Sequence, residues 1–393
     1  MKKKGIIAIV VVSVCVLLAA ITVVLGSIKV ESKTVYSHTD IGVPYAEIYG
    51  ENQLNSRLSA DMIVFDGKLY IGGGDYGANT GPVNVISYDL EQKIWGISNE
   101  TLPDEQIKRF RVLDGKLATL GTDPRGDWRM GNYYVLENGI WTTKSCLPSG
   151  IHCFDAIEFE GKTFFGLGCN RGDYPVVVYD GAEYKTVDFV VDGVPLDTSK
   201  NEVIRVYNFF EYQNNLYAFY SYDGVDENGA TVYYMDLYIY DGGVFNFFSG
   251  TLLSEDMPEI ITTESRAYII LNKTLLQTYD LLNYSAVSLG SNVTVSDIIE
   301  DGDKIYVLAS RKSTEGLYEI MVFENDGDGF NKELRFFAYA AAGSFCKNGN
   351  DFYISLGQRG QTEAVADLGR IYAVKGQKIE TRSFDIKSFF TRK

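Results

Sequence analysis

The chain predicts an all-β protein made of repeated four-stranded units behind an apolar N-terminal segment. Three observations carry that expectation. Tyr and Phe are abundant, at 28 and 22 copies, and both suit pleated, half-buried surfaces. Gly is frequent, Pro is scarce, and Ala- or Leu-rich helical windows are missing from the body of the chain. A turn followed by an apolar strand recurs along the sequence at a near-regular interval.

The N-terminal segment is read first. Lys2, Lys3 and Lys4 precede a run from Gly5 to Ile28 without a charged side chain. At a rise of about 1.5 Å per residue, that run is long enough to cross a hydrocarbon layer about 30 Å thick. The basic flank predicts a cytoplasmic segment at 1–4, a transmembrane signal anchor at 5–28 and an extracytoplasmic remainder, a single-pass protein of the cell membrane. A cleaved signal peptide is the rival reading. Its apolar core usually spans only about 7–15 residues, and no small-x-small cleavage site is evident here. Residues 29–57 then form a juxtamembrane segment and 58–393 the β domain.

Charge and cysteine content narrow the function classes. The formal charge of −16 disfavours phosphate backbones, so nucleic acid is not an expected partner. Cys15 lies in the apolar run, while Cys146, Cys153 and Cys169 cluster and Cys346 stands apart. A disulfide within the cluster suits an oxidising compartment. No C-x-x-C pair occurs, and His38 and His152 are not spaced with the cysteines as a zinc ligand set.

The repeat has two parts. Its first part reads Phe65-Asp66-Gly67-Lys68-Leu69-Tyr70, then Leu113-Asp114-Gly115-Lys116-Leu117, then Phe159-Glu160-Gly161-Lys162-Thr163-Phe164. Looser copies start at Tyr212, Glu264, Asp301 and Asn348. Asp-Gly and Asn-Gly between apolar runs signal hairpins, because both residues accept positive φ. The second part is an apolar strand ending in a tight turn, as in Val177-Val178-Tyr179-Asp180-Gly181 and Tyr238-Ile239-Tyr240-Asp241-Gly242. Each unit thus supplies four antiparallel strands over about 40–50 residues, the period of a propeller blade. Seven such units fill residues 58 to 386 and predict a seven-bladed β-propeller. Residues 36–59 or the tail at 382–390 are candidates for a closing strand.

The first unit resembles the kelch repeat, in which four apolar residues precede a Gly-Gly doublet, followed by Tyr and Trp. Here these are Leu69-Tyr70-Ile71-Gly72-Gly73-Gly74, Tyr88 and Trp95. The second unit keeps Trp141, and later units keep the hydrophobic framework, with Tyr184 and Phe245 near the Trp position. Such a resemblance implies a propeller that serves mainly as a binding platform.

The loops joining the second and third strands share a composition. They carry Asp75 and Tyr76; Arg125, Asp127 and Trp128; Arg171, Asp173 and Tyr174; and Arg359. Arg presents a planar fork to carboxylates or sulfates, Asp accepts hydroxyl hydrogen bonds, and the flat ring packs on a sugar face. A tentative ligand-binding ring face follows, with ordinary turn capping by Gly-Asp as the alternative. Asp326 and Asp328 alternate before Gly as calcium ligands do, although the bidentate Glu of such a loop is absent. A plain hairpin tip is the alternative there, and no other cofactor is indicated. The Arg-Gly-Asp triplets at 125–127 and 171–173 also resemble integrin ligands.

These readings favour a membrane-anchored, extracytoplasmic binding module for a protein or a surface glycan. One alternative is a carbohydrate-active hydrolase or lyase that uses carboxylates on the same face. Another is a structural subunit of a cell-envelope complex. No Gly-x-Ser-x-Gly elbow serves either histidine, so no catalytic residue is assigned.

Overall fold

The computed structural model describes residues 28–49, 54–124, 131–144, 147–170, 172–200, 203–225, 231–254, 257–325, 327, 329–358 and 365–384. Strand β1 (Ile28–Gly42) comes first. A meander follows of β2 (Asp61–Phe65), β3 (Lys68–Gly72), β4 (Val83–Asp89) and β5 (Ile94–Leu102). The next holds β6 (Asp104–Leu113), β7 (Lys116–Pro124), β8 (Tyr133–Glu137) and β9 (Ile140–Thr143). One large sheet then gathers β10 (His152–Phe159), β11 (Lys162–Asn170), β12 (Val176–Tyr179), β13 (Tyr184–Thr186), β14 (Phe189–Val191) and β15 (Val194–Pro195). It also takes in β16 (Val203–Tyr212), β17 (Asn215–Val225), β18 (Thr231–Asp241) and β19 (Val244–Ser254). A meander of β20 (Glu259–Thr262), β21 (Ala267–Leu271), β22 (Thr274–Thr278) and β23 (Ser285–Ala286) follows. The next is β24 (Thr294–Asp301), β25 (Lys304–Lys312), β26 (Tyr318–Asn325) and β27 (Phe330–Ala338). The last sheet has the order β1-β30-β29-β28, with β28 (Ala342–Asn348), β29 (Asp351–Leu356) and β30 (Ile371–Phe384).

The turns form as their residues dictate. Asp66-Gly67, Asp114-Gly115 and Glu160-Gly161 all take positive φ at both positions, which closes two-residue hairpins with the twist of their strands. Gln213-Asn214 and Asn272-Lys273 do the same without Gly.

The chain divides into two compact units, Thr39–Ala373 and a second made of Met1–His38 with Val374–Lys393. The described part of the second unit is the N-terminal stretch of β1 and the C-terminal stretch of β30. Within the first unit the inner strands close a ring. β2 touches β6, which touches β10, and contact passes on through β16, β20, β24 and β28 back to β2. That closed order is a β-propeller, and it buries its apolar residues between neighbouring sheets rather than at one centre. Leu69, Ile71 and Ile86 meet Cys346, Tyr353 and Ile371 across one such seam. Val83, Val85 and Ile107 meet Leu117, Tyr134 and Trp141 across the next.

Two expectations are corrected. In place of seven separate four-stranded blades, the propeller has five four-stranded sheets and one fused sheet of ten strands. The cause is the length of β11. It outruns β12, which pairs only as far as Gly166, and the exposed edge of Gly168 to Asn170 pairs instead with Arg205 to Val203 of β16. β14 also adds in parallel to β19. Second, no helix among the described residues is long and apolar enough to cross a membrane. Residues 5–27 of the expected span lie outside the described residues. Ile28 opens β1, where apolar Ile28 and Val30 alternate with Lys29 and Glu31 at the period of a strand. The stretch 29–57 holds most of β1 and two short 3-10 turns.

Tyr88 and Trp95 of the first sheet, and Gly73 just after β3, have packing roles. Trp95 lies tilted against Tyr88, with centroids 4.8 Å apart, and its Nε1 donates to the carbonyl of Ile41 at 2.7 Å, tying β1 to this sheet. Arg370 adds an ion pair with Asp40. Gly73 lies under the Tyr45 ring, where an added Cβ would come within 2.5 Å of ring carbons. The Tyr45 hydroxyl in turn donates to the Ile71 carbonyl at 2.9 Å. Gly73→Ala is therefore expected to destabilise the fold by about 1–3 kcal/mol, read as a lower urea midpoint at unchanged slope.

Candidate functional site: an axial cavity and its aromatic rim

A cavity of about 640 Å³ runs along the axis of the ring, lined by β2, β6, β20, β24 and β28. Four of its polar side chains, Asp61, Arg109, Asp297 and Ser344, share one register position of the inner strands, which Asp155 and Asn208 occupy on β10 and β16. Asp61, Arg109, Asp155, Asn208, Asp297 and Ser344 precede the second strands at Lys68, Lys116, Lys162, Asn215, Lys304 and Asp351 by a constant spacing. Bulges at 107–109, 153–155, 206–209, 295–297 and 342–345 lie at this position. A bulge bends the strand and leaves a backbone N–H without its ladder partner.

The three aspartates satisfy those N–H groups. Asp61 accepts from its own neighbour Met62 at 2.7 Å and from Phe110 of β6 at 2.7 Å. Asp155 accepts from Ala156 at 2.9 Å and from Phe209 of β16 at 2.7 Å. Asp297 accepts from Ile298 at 2.8 Å and from Phe345 of β28 at 3.0 Å. Each carboxylate thus clips its own strand to the next one around the ring. Ser344 makes the corresponding link to Ser59, 3.1 Å between hydroxyls, where the last inner strand meets the first.

Arg109 crosses between these positions. It lies 3.3 Å from Asp155 and 2.5 Å from Glu259, and donates to the Tyr207 carbonyl at 3.3 Å. Burial would lower its pKa, but the carboxylates of Glu259, Asp155 and Asp61 outweigh that and hold it above the ordinary arginine value. Arg111 adds a second cation to Asp155 at 2.7 Å. Asp155 is fully buried, so all its lone pairs are spent on two backbone N–H groups and two guanidinium groups. Asp61 is raised to about 6, by burial foremost, with the Phe110 N–H and the Arg109 charge opposing the shift. Asp297 is pushed well up by burial and then by the negative charges of Glu259 and Asp61. Away from the axis, buried Asp104 is raised to about 7 by burial, against hydrogen bonds from Tyr134 and Asn132.

At the rim, cations lie against aromatic faces. Lys108 lines the cavity with its Nζ 4.7 Å from the centroid of Tyr76 and 4.9 Å from that of Phe154. Arg205 lies 5.5 Å over Tyr233 and donates to the Tyr207 hydroxyl at 2.9 Å. His152 sits between Tyr76 and Phe154. Its pKa falls to about 3, through burial and then the charges of Lys108 and Arg205. The imidazole is therefore neutral, and its 3.4 Å approach to Asp123 is not an ion pair.

The residues read from the sequence meet this geometry unevenly. Asp75 caps the short turn at Tyr76–Ala78, its Oδ1 accepting from Gly77 at 3.0 Å, which is the turn-capping role. Tyr76 belongs to the rim and is 37% exposed. Tyr174 is 42% exposed, and its backbone is pinned by Ser149 and by the thiol of Cys169. Asp173 precedes it in the same turn and is half-buried. Arg125, Asp127, Trp128, Arg171 and Arg359 lie outside the described residues, as do the calcium candidates Asp326 and Asp328. Among the described residues no cluster of His, Cys, Asp or Glu is arranged to hold a metal. Cys153, Cys169 and Cys346 are buried free thiols, and Cys146 lies outside the described residues. The axial residues and Lys108 were missed by reading each repeat forward from its turn. Counting backward from the second strand finds the polar position.

No protein-family profile matches the chain, and no curated protein matches it. Solved structures similar to it include a β-propeller domain of open velcro topology from the Trilobed protease of Pyrococcus furiosus, at 11% identity and a TM-score of 0.44, covering 86% of this chain and 98% of that one. The polysaccharide lyase Uly1 gives 10% identity and a TM-score of 0.45, covering 88% and 98%. A luciferin-regenerating enzyme gives 10% and 0.43, covering 87% and 96%.

Two outcomes follow from the electrostatics. Asp155→Ala strands buried Arg109 beside a void and leaves the Phe209 N–H without its acceptor, and is expected to cost about 3–5 kcal/mol in denaturant unfolding. Asp61 and Asp104 hold their protons more tightly folded than unfolded, where both titrate near the ordinary carboxylate value. Their contribution is complete below about pH 4 and is lost as the pH rises through about 6 to 7. The melting temperature should therefore fall between about pH 4 and 7, and Asp104→Asn should flatten that slope.

Proposed function

We propose that the protein is a binding module whose ligand, a protein or a surface glycan, sits on the ring face at the mouth of the axial cavity. One observation supports this reading over a hydrolase or lyase. Each axial aspartate spends its oxygens on backbone N–H groups, and fully buried Asp155 does so where no substrate reaches. The same bonds recur at Asp61 and Asp297 inside the cavity, so they belong to the repeat rather than to a reaction. An acid and base pair needs two carboxyls in contrasting environments, one free to take a proton from substrate.

The rim suits recognition. Exposed Tyr76 and Tyr174 offer faces for sugar rings or aliphatic side chains, and Lys108 is held between two aromatic rings beside the opening. The kelch-like character of the first sheet is part of this proposal, since kelch propellers serve mainly as binding platforms.

The test is a glycan array probed with the full chain, beside a variant carrying Tyr76→Ala, Lys108→Gln and Tyr174→Ala. The variant should lose at least about tenfold in affinity for whatever the wild type captures, with its melting temperature held within a few degrees. Release of cleaved saccharide by the wild type, abolished by Asp61→Asn or Asp297→Asn, would instead establish the hydrolytic or lyase reading.

A further inference from the structure

A second cavity of about 480 Å³ adjoins the axial one, sharing Lys273 and Gln358 with it. Its lining adds Lys312 and the neutral polar side chains of Asn292, Thr294 and Ser310. No Asp or Glu is among the described residues that line it, in a chain whose formal charge is −16. Other cations of the chain are matched to carboxylates: Lys116 and Lys144 to Glu137, Lys304 to Glu324, Lys347 to Asp301, Arg370 to Asp40. Lys273 and Lys312 have no carboxylate partner among the described residues.

The backbones of both lysines have defined places at the edge of this cavity. Lys273 occupies the left-handed hairpin turn between β21 and β22, φ +63°, and its carbonyl accepts from Val295 at 2.9 Å. Lys312 ends β25 opposite Tyr318, with its Nζ 5.9 Å from that ring's centroid. Two exposed lysines lining one concavity that has no carboxylate among its described residues favour an anion, and the local field raises its concentration there. Amide and hydroxyl side chains beside them donate to and accept from neutral hydroxyls, and the Tyr318 face covers apolar C–H surface. The volume falls in the range that encloses small ligands rather than a protein surface.

We infer that this pocket binds the charged residue of an anionic saccharide, a sugar bearing a carboxylate or sulfate, beside the axial opening. The inference rests on the ring-face binding reading and names the chemistry of one of its subsites.

The test titrates the full chain with oligogalacturonate and with the uncharged galactose oligomer of equal length, at low and at physiological salt. The acidic oligomer should bind at least about tenfold tighter, the worth of one charge-assisted hydrogen bond, and weaken as salt rises. Lys273→Asn, which keeps a residue tolerant of the left-handed turn, and Lys312→Gln should each remove about tenfold of that affinity. Each should also reduce the salt dependence, with melting temperature unchanged. A sulfated oligomer tested alongside separates a sulfate preference from a carboxylate one. Equal binding of charged and neutral oligomers, no binding of either charged one, or indifference to both lysine substitutions would overturn the assignment. So would an aspartate-rich peptide that binds as tightly and fails on the same variants, which would make the subsite one for acidic protein. If the lysine variants bind normally while the Tyr76, Lys108 and Tyr174 variant does not, this pocket falls and the ring-face reading stands. A blank array with wild-type protein removes the glycan half of the ring-face reading, and this pocket with it, and leaves a protein ligand for that face.

Discussion

A bulged strand at the centre of a ring creates a donor that no ladder can satisfy, and the rest of this molecule depends on how that donor is met. At Phe110, Phe209 and Phe345 the answer is a carboxylate reaching over from the previous inner strand. A buried, unpaired backbone N–H costs about as much as a lost hydrogen bond, so each clip supplies both a local necessity and a link between sheets. The apolar seams give the ring its bulk stability. The clips set the angular register in which those seams meet.

The same constraint shapes the electrostatics of the axis. Carboxylates brought together for structural reasons repel one another, and Arg109 lies among them as the shared counter-charge. Asp297 is pushed well up by burial and then by the charges of Glu259 and Asp61. An acidic axis of this kind looks like a reaction centre when its residues are only named. Its hydrogen bonds show where the lone pairs have gone.

Much of the fold was legible in the chain, because local rules and tertiary demands agree at the hairpins. Asp66-Gly67, Asp114-Gly115 and Glu160-Gly161 form the tight turns their residues require. The fused sheet was not legible. It depends on whether the end of β11 finds β12 or β16, a choice made by relative strand length in three dimensions. The rim was legible only in part. Tyr76 was readable because it follows a Gly-Asp turn, whereas Lys108, His152 and Arg205 come from three strands with no shared motif, and only ring closure brings them together. Asp75 caps its turn, a role that the Gly-Asp pair already offered in the sequence.

The sheet order β1-β30-β29-β28 has a consequence for how the protein is made. Ile28–Gly42 leaves the ribosome long before the strand that pairs with it, Ile371–Phe384, has been synthesised. Throughout that interval the first strand has an open edge and waits for a partner that does not yet exist. Ring closure is thus a late, long-range step, and the unfinished chain is the state in which chaperones matter most.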